Sequence, residues 1–200
     1  WVMRKYDAVL FDLDGTLSES GEGILWCVRR TIEDLKIVVP ENFRLESFIG
    51  PPLADSFYRL GLDDEKVKFG VKTYKSYYDT KGKYMNKAYD GIKELLERLR
   101  EKGYKLGVAT SKYELFARQI IDNIGLLQYF DFVSGATANA ERQKKIDVLN
   151  YGIKNLGATP ENSALIGDTK FDAEGARLCG CGFVAVSYTH LRAHETLRHL

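Results

Sequence analysis

The sequence predicts an α/β protein built on a doubly wound parallel sheet, with an all-helical segment inserted near its start. Three observations carry this. From Asp90-Gly91 onward, apolar runs of strand length alternate strictly with stretches of helical period, the pattern of a parallel sheet with helices on both faces. The apolar run Ala8-Val9-Leu10-Phe11 opens into the polar loop Asp12-Leu13-Asp14-Gly15-Thr16, as a buried strand does at its end. Between these two regions, residues 20–84 carry no strand pattern. They therefore form an insertion.

Taken in order, residues 8–11 are the first strand. From Gly21 to Lys36 one stripe carries Ile24, Cys27, Val28, Thr31, Ile32 and Leu35, the spacing of an amphipathic helix. Two further helical stretches follow Pro52 and Asp63. The alternation then runs as a helix on Ile92, Leu95, Leu96 and Leu99, a strand over 104–109, and a helix on Leu115, Phe116, Ile120, Ile121 and Ile124. A strand over 132–134 comes next, then a helix on Ile146, Leu149, Ile153 and Leu156 and a strand over 164–166. A helix over 171–178 and a strand over 183–186 complete the series. The expected organisation is a core of residues 3–17 and 86–186 with a helical unit at 18–85.

Composition removes several classes of function. With 29 basic and 28 acidic residues in 200, no whole-chain field draws the protein to nucleic acid or to an anionic membrane. No apolar run is long enough to span a bilayer and no signal-peptide layout opens the chain, so a cytoplasmic protein, monomeric or homodimeric, is expected. Cys27 stands apart from Cys179 and Cys181, and all three are expected to be reduced and structural. The three histidines, His190, His194 and His199, all fall at the C-terminal end. A body without histidine runs no Ser-His-Asp or Cys-His mechanism and builds no ordinary His-ligated zinc site. Carboxylates must carry its chemistry. Residues 187–200 resemble the conceptual translation of a sequencing-library adapter and are set aside as a non-native tail, and Trp1-Val2 reads as sequence upstream of a start codon. Without the tail the body carries 27 basic and 27 acidic residues.

In an open parallel sheet the ligand crevice lies beyond the carboxyl ends of the strands. The strand ends here present Asp12 and Asp14, then Thr110-Ser111-Lys112, then Gly167-Asp168 with Asp172 following; Lys144-Lys145 opens the helix after the third strand. So many carboxylates cannot share one crevice uncompensated. Hard oxygen donors with room for a phosphate indicate Mg²⁺, and a hydroxyl and a lysine would hold the anionic oxygens of a phosphoryl group. An EF-hand is excluded, because Gly15 is fourth rather than sixth in its loop and a strand precedes it.

These motifs resemble those of the haloacid dehalogenase-like (HAD) superfamily, in its phosphoglycolate-phosphatase-like branch. The resemblance rests on Phe11-Asp12-Leu13-Asp14-Gly15-Thr16-Leu17, Val108-Ala109-Thr110-Ser111-Lys112, Lys145, and Gly167-Asp168-Thr169-Lys170-Phe171-Asp172, in the family's order over residues 4–186. Gly50-Pro51-Pro52-Leu53 is similar to a loop of that branch's helical cap. The resemblance implies a Rossmann-like core and assigns roles. Asp12 would be the nucleophile and Asp14 the general acid and then base. Gly15 and Thr16 would permit the tight turn into the cap and lie in the phosphate-binding set, and Thr110, Ser111 and Lys112 would bind phosphate oxygens. Lys145, preferred over Lys144 on its spacing to Asp147, would offset charge on nucleophile and phosphate. Mg²⁺ would be held by Asp12, Asp14 through its carbonyl, and Asp168. Asp172 would support that metal shell or orient Lys145. Gly50 and Pro51 would contact the substrate.

Asp14 argues for phosphoester chemistry, because the family's dehalogenases lack an acid there; a halide leaves without a proton. Cysteine phosphatases are excluded, since Glu33, Ala185 and Ser187 stand where their arginine would be. The expectation is a Mg²⁺-dependent phosphatase acting on a small phosphorylated metabolite such as phosphoglycolate. A 5′-nucleotide or sugar phosphate comes next as substrate, with a sugar-phosphate mutase or a catalytically silent fragment as the alternatives. Tyr74, Tyr77, Tyr78 and Tyr84 are expected to pack the helical unit.

Overall fold

The computed structural model describes residues 5–49, 51, 53–138 and 141–187. Trp1-Val2, the three histidines and all but Ser187 of the expected tail lie outside the described residues. The chain runs β1 (Ala8–Phe11), β2 (Ser18–Glu19), α1 (Gly21–Asp34), α2 (Leu53–Arg59), α3 (Asp64–Thr80), β3 (Lys87–Ala88) and α4 (Ile92–Glu101). It continues as β4 (Lys105–Tyr113), α5 (Glu114–Asn123), β5 (Phe132–Ala136), α6 (Lys145–Asn155), β6 (Ser163–Gly167), α7 (Lys170–Cys179) and β7 (Gly182–Ala185).

Five strands form one parallel sheet in the order β5-β4-β1-β6-β7. Every residue of β1 is buried. Its side chains alternate between two clusters: Val9 and Phe11 pack with Val108, Ile120 and Ile121 on one face, and Ala8 and Leu10 with Leu149, Ile153 and Leu165 on the other. Burial on both faces is why this strand reads as unbroken apolar sequence. Winding reverses at β1, with β4 and β5 on one side and β6 and β7 on the other. The crevice beyond its carboxyl end is therefore the fold's natural ligand site.

Register then decides which residues meet there. Phe11 pairs with Val108 and with Ile166, so Asp12 emerges level with Ala109 and Gly167. Thr110 and Asp168 follow one residue later on the flanking strands. A backbone bond from Asp12 N–H to the Ile166 carbonyl, 2.9 Å, keeps the strands together to that point.

The helices between β2 and β3 have their own apolar cluster of Val28, Phe48, Phe57, Leu60 and Val67. Asp63 caps α3 by accepting from the Lys66 backbone N–H at 2.9 Å. Two features differ from expectation. β4 continues to Tyr113, well past Ala109, through a register irregularity; Thr110-Ser111-Lys112 hides the extension because the apolar signal stops where the strand leaves the core. β2 and β3 pair antiparallel at the neck of the helical segment. Two residues each are too few to show a period.

Cys27 is fully buried in this core, and burial pushes its thiol up to about 12. Cys179, only partly buried, is held below the ordinary thiol range by a hydrogen bond with Cys181. Two outcomes follow. In the native protein at pH 8, iodoacetamide should label Cys179 first and leave Cys27 unlabelled, as read by peptide mass spectrometry; thiolate content and access both set the rate. Leu10→Ala empties a fully buried site in the central strand and should cost about 2–5 kcal/mol in urea unfolding. Val38→Ala, at 87% exposure, should change stability by less than about 0.5 kcal/mol.

Candidate active site

The crevice at the end of β1 holds a buried ion network. Lys145 opens α6, and its ammonium is drawn inward, leaving the residue 8% exposed. The ammonium reaches Asp12 Oδ1 at 2.7 Å, Asp172 Oδ1 at 2.7 Å and the Ala109 carbonyl at 3.0 Å. Adjacent Lys144 stays exposed at the helix N-cap. Gly175 on α7 makes the approach possible, since a Cβ there would lie 2.5 Å from Lys145 Cγ.

Asp172 is fully buried and does two jobs. Its Oδ2 accepts from the Thr169 backbone N–H at 2.9 Å and the Thr169 hydroxyl at 2.6 Å, closing a capping box at the start of α7. Its Oδ1 faces Lys145. Burial works against the Lys145 charge, yet Asp12 and Asp172 outweigh it and hold that ammonium above the ordinary lysine range. Asp12 is pushed the other way: burial drives its carboxyl up to about 6, with Lys145 opposing and Asp172 and Asp14 adding to the rise.

Asp14 sits beside this pair. Its Oδ2 lies 3.0 Å from the Lys112 ammonium, while its Oδ1 is buried with no hydrogen-bond partner among the described residues. Lys112 also donates to the Tyr78 hydroxyl at 2.6 Å. Burial disfavours the Lys112 charge, but Asp14 and then Tyr78 overcome it and raise that ammonium. Thr110 is buried beneath, its hydroxyl accepting from the Lys112 backbone N–H at 3.2 Å. Ser111 is exposed at the rim.

Gly15 has φ +79°, and a Cβ on it would lie 2.4 Å from Asp168 Oδ2. Both facts require glycine. Thr16 is buried, and its hydroxyl donates to Asp168 Oδ1 at 3.2 Å. Thr16 thus holds a carboxylate, whereas sequence reasoning set it at the phosphate.

One carboxylate oxygen from each of Asp12, Asp168 and Asp172 lies within 4.8 Å of the other two. The Asp14 carboxylate turns to Lys112 instead. Asp12, Asp14, Asp168 and Asp172 face two ammonium groups, Lys112 and Lys145. The oxygens that Asp12, Asp168 and Asp172 bring together are hard donors, so a divalent cation such as Mg²⁺ fits the set in ligand type.

The expected substrate loop is less informative. Gly50 and Pro52 lie outside the described residues, and Pro51 is exposed. Ser56 is buried and accepts from the Arg59 guanidinium at 2.8 Å, tied within the helical segment. Sequence reasoning missed the polar role of Tyr78, because helical spacing identifies a buried tyrosine but not what its hydroxyl meets. Among the described residues, no helix is long and apolar enough to cross a membrane.

Comparison with known proteins places the chain among its relatives. The family model for "Haloacid dehalogenase-like hydrolase" matches residues 9–186. The chain is 36% identical over 185 residues to "Tyrosine-protein kinase PtkA" of Mycobacterium tuberculosis, covering 92% of this chain but 63% of that protein. It thus spans less than two thirds of that relative's length. It is 36% identical over 197 residues to a "5'-nucleotidase" of Pseudomonas aeruginosa, covering 96% of this chain and 89% of the relative. A solved haloacid dehalogenase-like family hydrolase from Streptococcus pneumoniae superposes with a TM-score of 0.83 at 34% identity, over 92% of this chain and 86% of that one. With its strand-end carboxylates in the crevice that the parallel sheet opens, and with the family's model matched across both of them, the chain belongs to the haloacid dehalogenase-like hydrolases.

Proposed function

We propose that this protein is a Mg²⁺-dependent phosphatase that hydrolyses a small phosphomonoester through an aspartyl-phosphate on Asp12. The observation that carries the reading is the pairing of two aspartates in different states. Asp12 is buried against the Lys145 ammonium at 2.7 Å, whereas Asp14 keeps one buried oxygen without a partner among the described residues. A nucleophile needs a charge-neutralising neighbour, and a proton-transfer group needs a free oxygen.

In this reading an Asp12 carboxylate oxygen attacks phosphorus while the bond to the leaving oxygen breaks. Asp14 passes its proton to that oxygen, so the alcohol departs neutral. Asp14, now a carboxylate, takes a proton from water as the water attacks phosphorus, and the Asp12–phosphorus bond breaks to release phosphate. Lys145 balances charge on Asp12 and on the transferring group throughout. The Thr110 hydroxyl and Ser111 supply donors to phosphate oxygens. Asp12 and Asp168, with the Asp14 carbonyl, would hold Mg²⁺, which supplies Lewis-acid stabilisation of charge on the phosphoryl oxygens. Asp172, committed to the α7 cap and to Lys145, serves as the orienting group for that lysine rather than as a direct ligand.

The helical segment, with residues 18–85 as its proposed extent, would act as a cap that admits the non-phosphate end of the substrate and excludes water. Phosphoglycolate and 5′-nucleotides head the substrate classes, the second supported by the name of the Pseudomonas relative.

Phosphate release should be measured on phosphoglycolate, nucleoside 5′-monophosphates, sugar phosphates and pyrophosphate, with and without chelator. Activity should require Mg²⁺, and Asp12→Asn should lower it at least about 1,000-fold while the fold persists, since the covalent route is lost. Retained activity in that variant would overturn the aspartyl-phosphate. Gly15→Ala drives a methyl into Asp168; it should cost about 1–2 kcal/mol in the left-handed turn and raise the Mg²⁺ concentration for half-maximal activity at least tenfold. An unchanged Mg²⁺ titration would remove Asp168 from the metal site.

A further inference from the structure

Tyr78 lies on α3 in the helical segment, yet its hydroxyl meets the strand-end machinery of the sheet. It is 5% exposed, stacked on Tyr74 with ring centroids 5.7 Å apart and tilted against Phe116 of α5 at 6.3 Å. Its ring lies under the Lys112 ammonium, 4.7 Å from centroid to Nζ, and its hydroxyl accepts from the same ammonium at 2.6 Å. Burial raises the Tyr78 hydroxyl, with Lys112 opposing the rise. A polar chain thus runs from Tyr78 of the helical segment through Lys112 to Asp14 Oδ2.

We propose that Tyr78 is a positioning residue: it fixes Lys112 on Asp14 Oδ2 and so holds the Asp14 carboxylate in one orientation for proton transfer. A lysine ammonium on a flexible four-carbon stem has many rotamers, and the flat ring with its acceptor oxygen selects one. Lys112 pinned in this way occupies Asp14 Oδ2, while Oδ1 is buried without a hydrogen-bond partner among the described residues. Because Tyr78 belongs to the inserted helices and Lys112 to β4, Asp14 is oriented only while the two are docked. Docking of the insertion and readiness of the proton-transfer group become one event. This inference rests on the phosphatase reading for its catalytic consequence.

The test separates proton transfer from general disruption. Tyr78→Phe keeps the ring and removes the hydroxyl. For an alkyl phosphomonoester, whose leaving oxygen needs the proton, kcat/KM should fall about tenfold or more. For p-nitrophenyl phosphate, whose leaving group departs without it, kcat/KM should change less than twofold, because that ratio reports only the first phosphoryl transfer. Lys112→Met should lower kcat/KM for the alkyl substrate at least as far as Tyr78→Phe does, and the double variant should be no worse on it than Lys112→Met alone. Equal losses on both substrates in Tyr78→Phe, or additive losses in the double variant, would overturn the proposal. A crystal structure of Tyr78→Phe decides the geometry without any activity. Lys112 should move off Asp14 Oδ2, and a contact retained near 3.0 Å refutes the positioning role. Wild type inactive on every phosphate tested would instead sink the phosphatase reading, leaving the crystallographic result to judge Tyr78.

Discussion

A lysine ammonium cannot be left in a protein interior without carboxylates to match it, and the site is arranged around that requirement at Lys145. Its partners come from three elements, Asp12 after β1, the Ala109 carbonyl on β4 and Asp172 on α7, while the lysine itself opens α6. None of these contacts can form until the sheet is paired and both helices are docked. The glycine at position 175 lets α6 and α7 approach closely enough for the lysine stem to pass. Removing one partner would leave an uncompensated buried charge, so the network is demanding in both directions. It fixes the Asp12 carboxylate in one place and makes that place depend on the whole core.

The chemistry follows from how unequal environments treat similar groups. Asp12 and Asp14 are two residues apart, but one is buried on a lysine and driven up by burial, while the other is partly exposed, with one oxygen held by Lys112 and one buried without a hydrogen-bond partner among the described residues. Asp168 is kept at the crevice by Thr16 and by the absence of a side chain on Gly15. Asp172 is spent on a helix cap and on Lys145. Four aspartates that look interchangeable in sequence therefore have four distinct surroundings, and the oxygens that three of them bring together suit a divalent cation. The helical insertion enters this arrangement through Tyr78, whose hydroxyl is the point where its packing meets the polar crevice.

Much of the fold was legible because the sheet is buried on both faces. Continuous apolar runs such as Ala8–Phe11 mark its strands, and amphipathic stripes mark the covering helices. The site was legible to the extent that parallel strands all point their carboxyl ends the same way, which brings residues at strand ends together whatever their separation along the chain. The neck strands were not legible, being two residues long. The extension of β4 was hidden for another reason: strands outside the core lose the apolar pattern that would reveal them.

The sequence by itself determined the order of elements, the carboxylate chemistry and the identity of the strand-end residues, because those depend on local period and residue type. Tertiary structure alone decided that Thr16 serves Asp168, that the Asp14 carboxylate faces Lys112, and that Tyr78 reaches across to that lysine. Each of these is a choice of side-chain direction among groups of the same chemistry. Such choices are made by packing and by the cost of burying a charge alone, neither of which exists until the chain is folded.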